Sequence, residues 1–244
     1  MTVDPEHDAG LRRPADRTPG ASGRHSSMPL DPEAIYDQRF NKSDSAHKDD
    51  VWIEICRYLE RFIPPDARLL DIACGDGHFI RHVRGKELWA TDLRDMTRHL
   101  PANIHFVQAS GLELDTLLAP KHFDVIFMSN YLEHLLSRSE VVKQLRICHH
   151  LLRPGGTVVV LQPNIRLVGG SYWDFIDHHV ALTERSLQEA AALAGFTTEA
   201  MIRRFLPYST LGRLPQHHLL VRAYLRLPWA WLLFGKQTLY IGRA

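Results

Sequence analysis

Hydrophobic positions along this chain follow two different periods, and each change of period marks a new element. In residues 45–63 the apolar side chains Trp52, Ile55, Leu59, Phe62 and Ile63 recur every three or four positions, with Val51 and Tyr58 beside them. That spacing predicts a helix, and Pro64-Pro65 stop it. Short continuous apolar runs come next, bounded by glycine, proline and acids, as strands buried on both faces of a parallel sheet require. They are 68–73 (RLLDIA), 87–91 (ELWAT), 104–109 (IHFVQA), 123–129 (FDVIFMS), 157–161 (TVVVL), 196–205 and 238–241. Helices are expected between them at 79–84, up to Leu152 from a capping-box pair Ser137 and Glu140, at 187–194 after Thr183, and at 219–227. Arg153-Pro154-Gly155-Gly156 is read as the turn that ends the second of these. Strands alternating with helices predict an α/β fold with a doubly wound, mostly parallel sheet.

The pattern also sets the organisation. Residues 1–30 are rich in Pro, Gly, Ser, Arg and Asp and nearly free of large apolar side chains, so a disordered tail is expected there, with Met28 as an alternative start. Residues 31–244 form one domain, with 31–65 as a helical cover and 165–182 and 207–236 as loop and insertion segments on the substrate side. The dense run Leu227-Pro228-Trp229-Ala230-Trp231-Leu232-Leu233-Phe234 is read as a lid or as core. An interfacial membrane anchor or a dimer surface is the alternative.

Chemistry concentrates at 69–79, LLDIACGDGHF, where an apolar strand runs into a glycine turn and then a helix. Gly75 and Gly77 permit positive φ and close backbone approach by a ligand, and the helix start beyond them offers free N–H groups. Asp71 is a carboxylate inside an apolar strand, and burial without a partner would be costly, so a bound ammonium group is a natural counterpart. A dinucleotide fingerprint would place a third glycine where Ile80 stands, which argues against a nicotinamide cofactor. Asp92 ends the second strand, where doubly wound folds present an acid to ribose hydroxyls.

The string DIACGDG at 71–77 resembles the first motif of class I S-adenosylmethionine (SAM) methyltransferases. Further matches follow in order: Asp92 after the second strand, Asn130-Tyr131-Leu132-Glu133-His134-Leu135 after the fourth, and LRPGG, a strand and Pro163-Asn164. The resemblance implies a seven-stranded sheet of order 3-2-1-4-5-7-6 with the seventh strand antiparallel, N-terminal helices over the cofactor, and a helical insertion between the last two strands. It implies SAM as cofactor, with Asp71, Ala73, Gly75 and Gly77 at its methionine part, Asp92 at the ribose and Leu93 as a further cofactor contact. Ser110 and Gly111 would lie at the adenine, Ser129 and Asn130 at the methyl group, and Tyr36 and Arg39 in the leading segment are further candidates. Ser110 stands where the family often has an acid.

Methyl transfer to a hydroxyl benefits from a base, and His134, His178 and His179 are the candidates, with Asp177 placed to orient one of them. Asn130-x-x-Glu133-His134 partly resembles the Glu-x-x-Glu-His metal site of ubiquinone-pathway O-methyltransferases, but the first carboxylate is missing and no metal is assigned. His149-His150 and His217-His218 have no metal spacing that joins them. The segments WDFIDHH, RFLPYS and GKQTLYIGRA resemble bacterial methyltransferases of polysaccharide and envelope biosynthesis. The expected acceptor is therefore a saccharide, a glycolipid or a related small metabolite.

Composition changes the picture in three places. A net charge of +1 and the lack of an Asn-Pro-Pro-Tyr tetrad after the fourth strand argue against nucleic-acid methylation. Three scattered cysteines fit a reducing cytoplasm, and neither a signal peptide nor a spanning apolar run is visible, so contact with the inner membrane face would be peripheral. Oligomeric state is open between monomer and homodimer. The rival from another class is a SAM-binding or partner-binding protein that transfers nothing.

Overall fold

The computed structural model describes residues 45–208 and 217–244. The expected tail, Tyr36 and Arg39 lie outside the described residues. Seven strands make one sheet: β1 (Arg68–Ile72), β2 (Glu87–Asp92), β3 (Ile104–Gln108), β4 (Phe123–Ser129), β5 (Leu152–Pro163), β6 (Thr197–Ile202) and β7 (Gln237–Arg243). Their order is β3-β2-β1-β4-β5-β7-β6. Six run in the same direction, and β7, between β5 and β6, is antiparallel to both. The order reverses between β1 and β4, and ligands of such sheets bind outside the strand ends at that point.

Alternation along each central strand explains why the runs read as continuous. Leu70, Ile72, Ile126, Met128, Val158 and Val160 enter one core, against the helices α3 (Leu114–Leu117), α4 (Arg138–Leu151) and α6 (Glu184–Leu193), with the short α5 (Ile165–Val168) after β5. Leu69, Val125, Phe127, Val159 and Leu161 enter the other. That second core is covered by α1 (Ser45–Leu59), α2 (His78–His82) and α7 (His218–Arg226). By period two, Asp71 shares the face of Leu69, the side on which α1 and α2 lie.

Local chemistry sets several boundaries. Ser137 Oγ accepts the Glu140 N–H at 3.2 Å, while Glu140 Oε2 reaches one residue further back than a standard box, to the N–H of Leu136 at 2.7 Å. Thr183 and Ser186 make a complete capping box, so α6 starts at Glu184, three residues ahead of the expected helix. The LRPGG segment is not a turn between elements. Leu152 already pairs with Phe123, and Arg153–Gly156 form an irregularity inside a strand that starts five residues earlier than expected, with Gly155 at φ 74°. The insertion carries α7 and then α8 (Pro228–Phe234). The core reading of this run fails for Trp229, Leu232, Leu233 and Phe234, which are exposed, and holds for Ala230. A seven-residue helix with apolar residues all round can bury only the side it turns inward.

Candidate active site

Three residues in five adopt the left-handed region after β1: Ala73 (φ 56°), Gly75 (57°) and Gly77 (76°). At Gly77 a side chain would be doubly opposed, because a Cβ would stand 2.4 Å from Leu100 Cδ2 and φ is positive. The chain thereby folds tightly over the end of β1 and brings the Gly75 N–H to Asp92 Oδ2 at 2.9 Å. Asp92 Oδ1 accepts from the backbone and side chain of Arg94, at 3.0 and 3.2 Å. The ribose candidate thus sits at the tip of β2 with its orientation set by the glycine turn.

Asp71 is 2% exposed, and its Oδ2 has no hydrogen-bond partner among the described residues. Burial pushes its carboxyl well above the usual range, and the nearby Asp92 charge adds to this. A carboxylate in this position calls for a cation. The ammonium group of a methionine moiety supplies one, so the residues present fit SAM. Burial also pushes the Cys74 thiol up, which removes a reactive thiolate from the turn.

On the adenine side, Leu93 is exposed beyond β2, with its carbonyl accepting from Gln108 Nε2 at 2.9 Å. Ser110 Oγ accepts the Leu112 N–H at 3.3 Å and so caps the 3₁₀ turn Gly111–Glu113. Gly111 is buried for a packing reason: a Cβ there would lie 2.4 Å from Tyr131 Oη and 2.5 Å from Gln144 Oε1. Those two atoms are themselves hydrogen bonded at 2.9 Å.

Beyond β4, Asn130 takes φ 47° and donates its N–H to Leu161 O at 2.9 Å, turning the chain out of the sheet. The 3₁₀ turn Leu132–His134 follows. Loop residues 175–180 dock on it through main-chain bonds: the N–H groups of His179 and Val180 both donate to Glu133 O, at 2.8 and 3.1 Å. His134 Nδ1 then lies 3.1 Å from both Asp177 Oδ2 and Asp177 O. His178 is buried, its Nδ1 donates to Tyr172 O at 2.8 Å, and its ring meets that of His134 edge-on at 5.1 Å. His134 and His178 therefore join one cluster with Asp177. His179 is exposed and contributes a backbone N–H, while its ring stays outside the group.

One donor atom from each of Glu133, His134 and His178 lies within 4.8 Å of the others, a set of the kind a divalent cation or a proton relay uses. Glu133 is 1% exposed, burial pushes its carboxyl up, and its Oε2 has no hydrogen-bond partner among the described residues. For His134, burial acts downward, but the hydrogen bond to Asp177 and the charges of Glu133 and Asp177 outweigh it and raise the imidazole.

Two polar groups escaped the sequence reading. Gln162, near the end of β5, is buried beside the Glu133 carboxyl, whose charged form its amide favours. It carries the same signal as Asp71, a polar side chain closing an apolar strand. Asp49 on α1 is the other: its Oδ1 lies 2.7 Å from His78 Nδ1 and 3.1 Å from His82 Nε2, which ties α1 to α2 just after the glycine turn. No spacing rule relates a residue to partners about thirty positions away.

The reversed strand order, the glycine turn and the acid at the tip of β2 together define a protein that holds a nucleoside-type cofactor across its switch point. A methyltransferase-domain family model matches residues 47–200, more than half of the sequence. The chain belongs to that family of class I SAM-dependent methyltransferases, and S-adenosylmethionine is its cofactor. Solved structures agree on the fold. A SAM-dependent methyltransferase from Archaeoglobus fulgidus is 18% identical, covers 88% of this chain and 100% of its own, and superposes with TM-score 0.58. A putative methyltransferase solved in complex with the Haloferax volcanii Trm112 activator is 13% identical over 86% and 97%, with TM-score 0.62. A methyltransferase from Mesorhizobium loti is 19% identical over 76% and 95%, with TM-score 0.56. No curated protein matches the sequence.

Proposed function

We propose that this methyltransferase O-methylates a saccharide, a glycolipid or a related small metabolite, with His134 as general base and Asp177 as the group that orients it. The observation that carries the base assignment is the Asp177 contact on His134 Nδ1 at 3.1 Å, a few residues beyond the end of β4. With Nδ1–H donating to Asp177, the lone pair belongs to Nε2, which is the atom that takes the acceptor's hydroxyl proton. Asp71 and the 73–77 turn hold the methionine part, Asp92 the ribose, Leu93 one face of the adenine, and Ser129 and Asn130 the edge of the methyl site. When bound, the sulfonium would supply an electrophilic methyl carbon, which the acceptor oxygen takes in line as the S–CH3 bond breaks and the neutral thioether leaves. Catalysis then rests on positioning and on exclusion of water. His178, held by Tyr172 O, is the second candidate for acceptor contact.

The overall charge of +1 supports a small-molecule acceptor over nucleic acid, since counterion release requires many cationic contacts. The test is titration calorimetry with SAM and S-adenosylhomocysteine on the native chain and on Asp92→Ala, followed by a screen of saccharide and lipid-linked acceptors. Binding lost in the variant and turnover with a hydroxyl acceptor are expected. A folded protein that binds neither compound would be an interaction module built on the fold. For the base, His134→Ala is expected to lower kcat about 10²–10⁴-fold with SAM affinity unchanged, the usual worth of a positioned base. Full turnover in that variant would remove His134 from the role.

A further inference from the structure

Helix α8 is held from beneath by Trp231. Its Nε1–H donates to Tyr224 O at 2.8 Å, and its ring meets Tyr58 edge-on at 5.7 Å. At about 100° per residue, positions 229, 232 and 233 turn to the opposite side of the helix. Trp229, Leu232 and Leu233 are accordingly 60, 67 and 68% exposed. The preceding helix α7 repeats the arrangement: Leu225 is buried, and Leu219 and Leu220 face outward. Large apolar side chains gathered on one exposed pair of helices mark an interaction surface.

The electrostatics beside this face identify its partner. A cavity of about 500 Å³ opens between α1 and α7, and its lining includes Arg57, Arg61, Arg222 and Arg226. Glu54 is the carboxylate in that lining, and it already binds Arg222 at 2.7 and 2.9 Å and Arg57 at 2.5 Å. Arg61 lies over the Tyr58 ring, 3.9 Å from its centroid. Four guanidinium groups against one carboxylate leave a local positive excess in a chain whose total charge is only +1. Arg226 ends α7 two positions before α8 begins at Pro228, and Tyr58, which lines the cleft, meets the Trp231 ring of α8. We infer that this surface docks on an anionic bilayer, with Trp229, Leu232 and Leu233 entering the headgroup boundary and the arginine cleft receiving lipid phosphate. Interfacial helices bind by this combination of apolar burial and attraction to anionic lipid. Charge selects the bilayer over a second copy of the chain, because a two-fold contact through this patch would bring two arginine clefts together.

The inference stands on the surface alone and holds whatever the acceptor is. Its test is co-sedimentation of the full chain with vesicles of phosphatidylcholine, with and without phosphatidylglycerol, at low and high salt. Trp229→Ser/Leu232→Ser and Arg61→Gln/Arg226→Gln are run in parallel, with SAM calorimetry to show that each variant is folded. Binding to the anionic vesicles is expected, weakened by salt and reduced about tenfold or more by either pair of substitutions. Absence of binding by the folded chain, or binding that both variants retain, overturns the inference. Equal binding to neutral vesicles removes the arginine cleft from it. Light scattering that shows a dimer split by Trp229→Ser/Leu232→Ser, without vesicle binding, gives the face to a second copy instead.

Discussion

Asp71 carries a definite proton prediction. Its carboxyl is raised by burial first and by Asp92 second, so in the ligand-free protein it keeps its proton to higher pH than an exposed aspartate does. A bound ammonium group favours the charged form. Cofactor binding should therefore release a proton, seen as a dependence of the calorimetric enthalpy on the ionisation enthalpy of the buffer, and SAM affinity should rise with pH. Asp71→Asn should bind SAM more weakly and lose both dependences. The stability of the ligand-free chain follows the opposite course. A group whose folded pKa lies above its unfolded value contributes stability at low pH that is lost as pH rises through the folded pKa. The margin by which SAM raises the melting temperature should therefore widen with pH. His134 gives the matching kinetic prediction: its raised imidazole must lose its proton to act as base, so turnover should rise with pH through a value above 6.5. Asp177→Asn removes the largest upward cause and should shift that limb to lower pH, whereas a merely structural Asp177 would leave its position unchanged.

At the scale of elements, the contact between the turn after β3 and helix α4 is sensitive to a small change. Gly111→Ala would drive a methyl group into the Tyr131–Gln144 hydrogen bond, so a loss of about 1–3 kcal/mol is expected, as for overpacked cores. Thermal melting reads this as a drop of about 2–4 °C per kcal/mol in a chain of this size. The same turn shows where sequence reading stops. Ser110 departs from the acid that the family often has there, and its hydroxyl oxygen accepts the Leu112 N–H as a cap, a local use of short polar side chains that no motif announces. Strands β1, β2 and β4 were legible almost to the residue, because double burial leaves unbroken apolar runs closed by Asp71–Ala73, Asp92 and Asn130. β5 was not, since Pro154 and Gly155 read as a stop although the pairing of Leu152 with Phe123 begins before them. The α8 run misled for a related reason: apolar residues on every side give no period from which to tell the inward face.

Over the whole molecule, topology was legible through order and spacing of motifs, and the clustering of side chains across long separations was not. The docking of loop 175–180 on Glu133 brings Asp177 to His134 through two backbone hydrogen bonds that no pattern announces. Helix α1 joins two other distant parts. At its start Asp49 grips His78 and His82, and Trp52 meets Phe79 and Phe127 edge-on, all beside the cofactor turn. Near its end Glu54, Arg57 and Tyr58 line the arginine cleft. One helix thus belongs to both places. Thermodynamic linkage makes any coupling between them reciprocal: the factor by which anionic vesicles tighten SAM must equal the factor by which SAM tightens the vesicles. Measured both ways, that single number would report how far the bilayer acts as an effector of the active site, and Asp49→Ala, which unfastens the helix at one end, should bring it towards one.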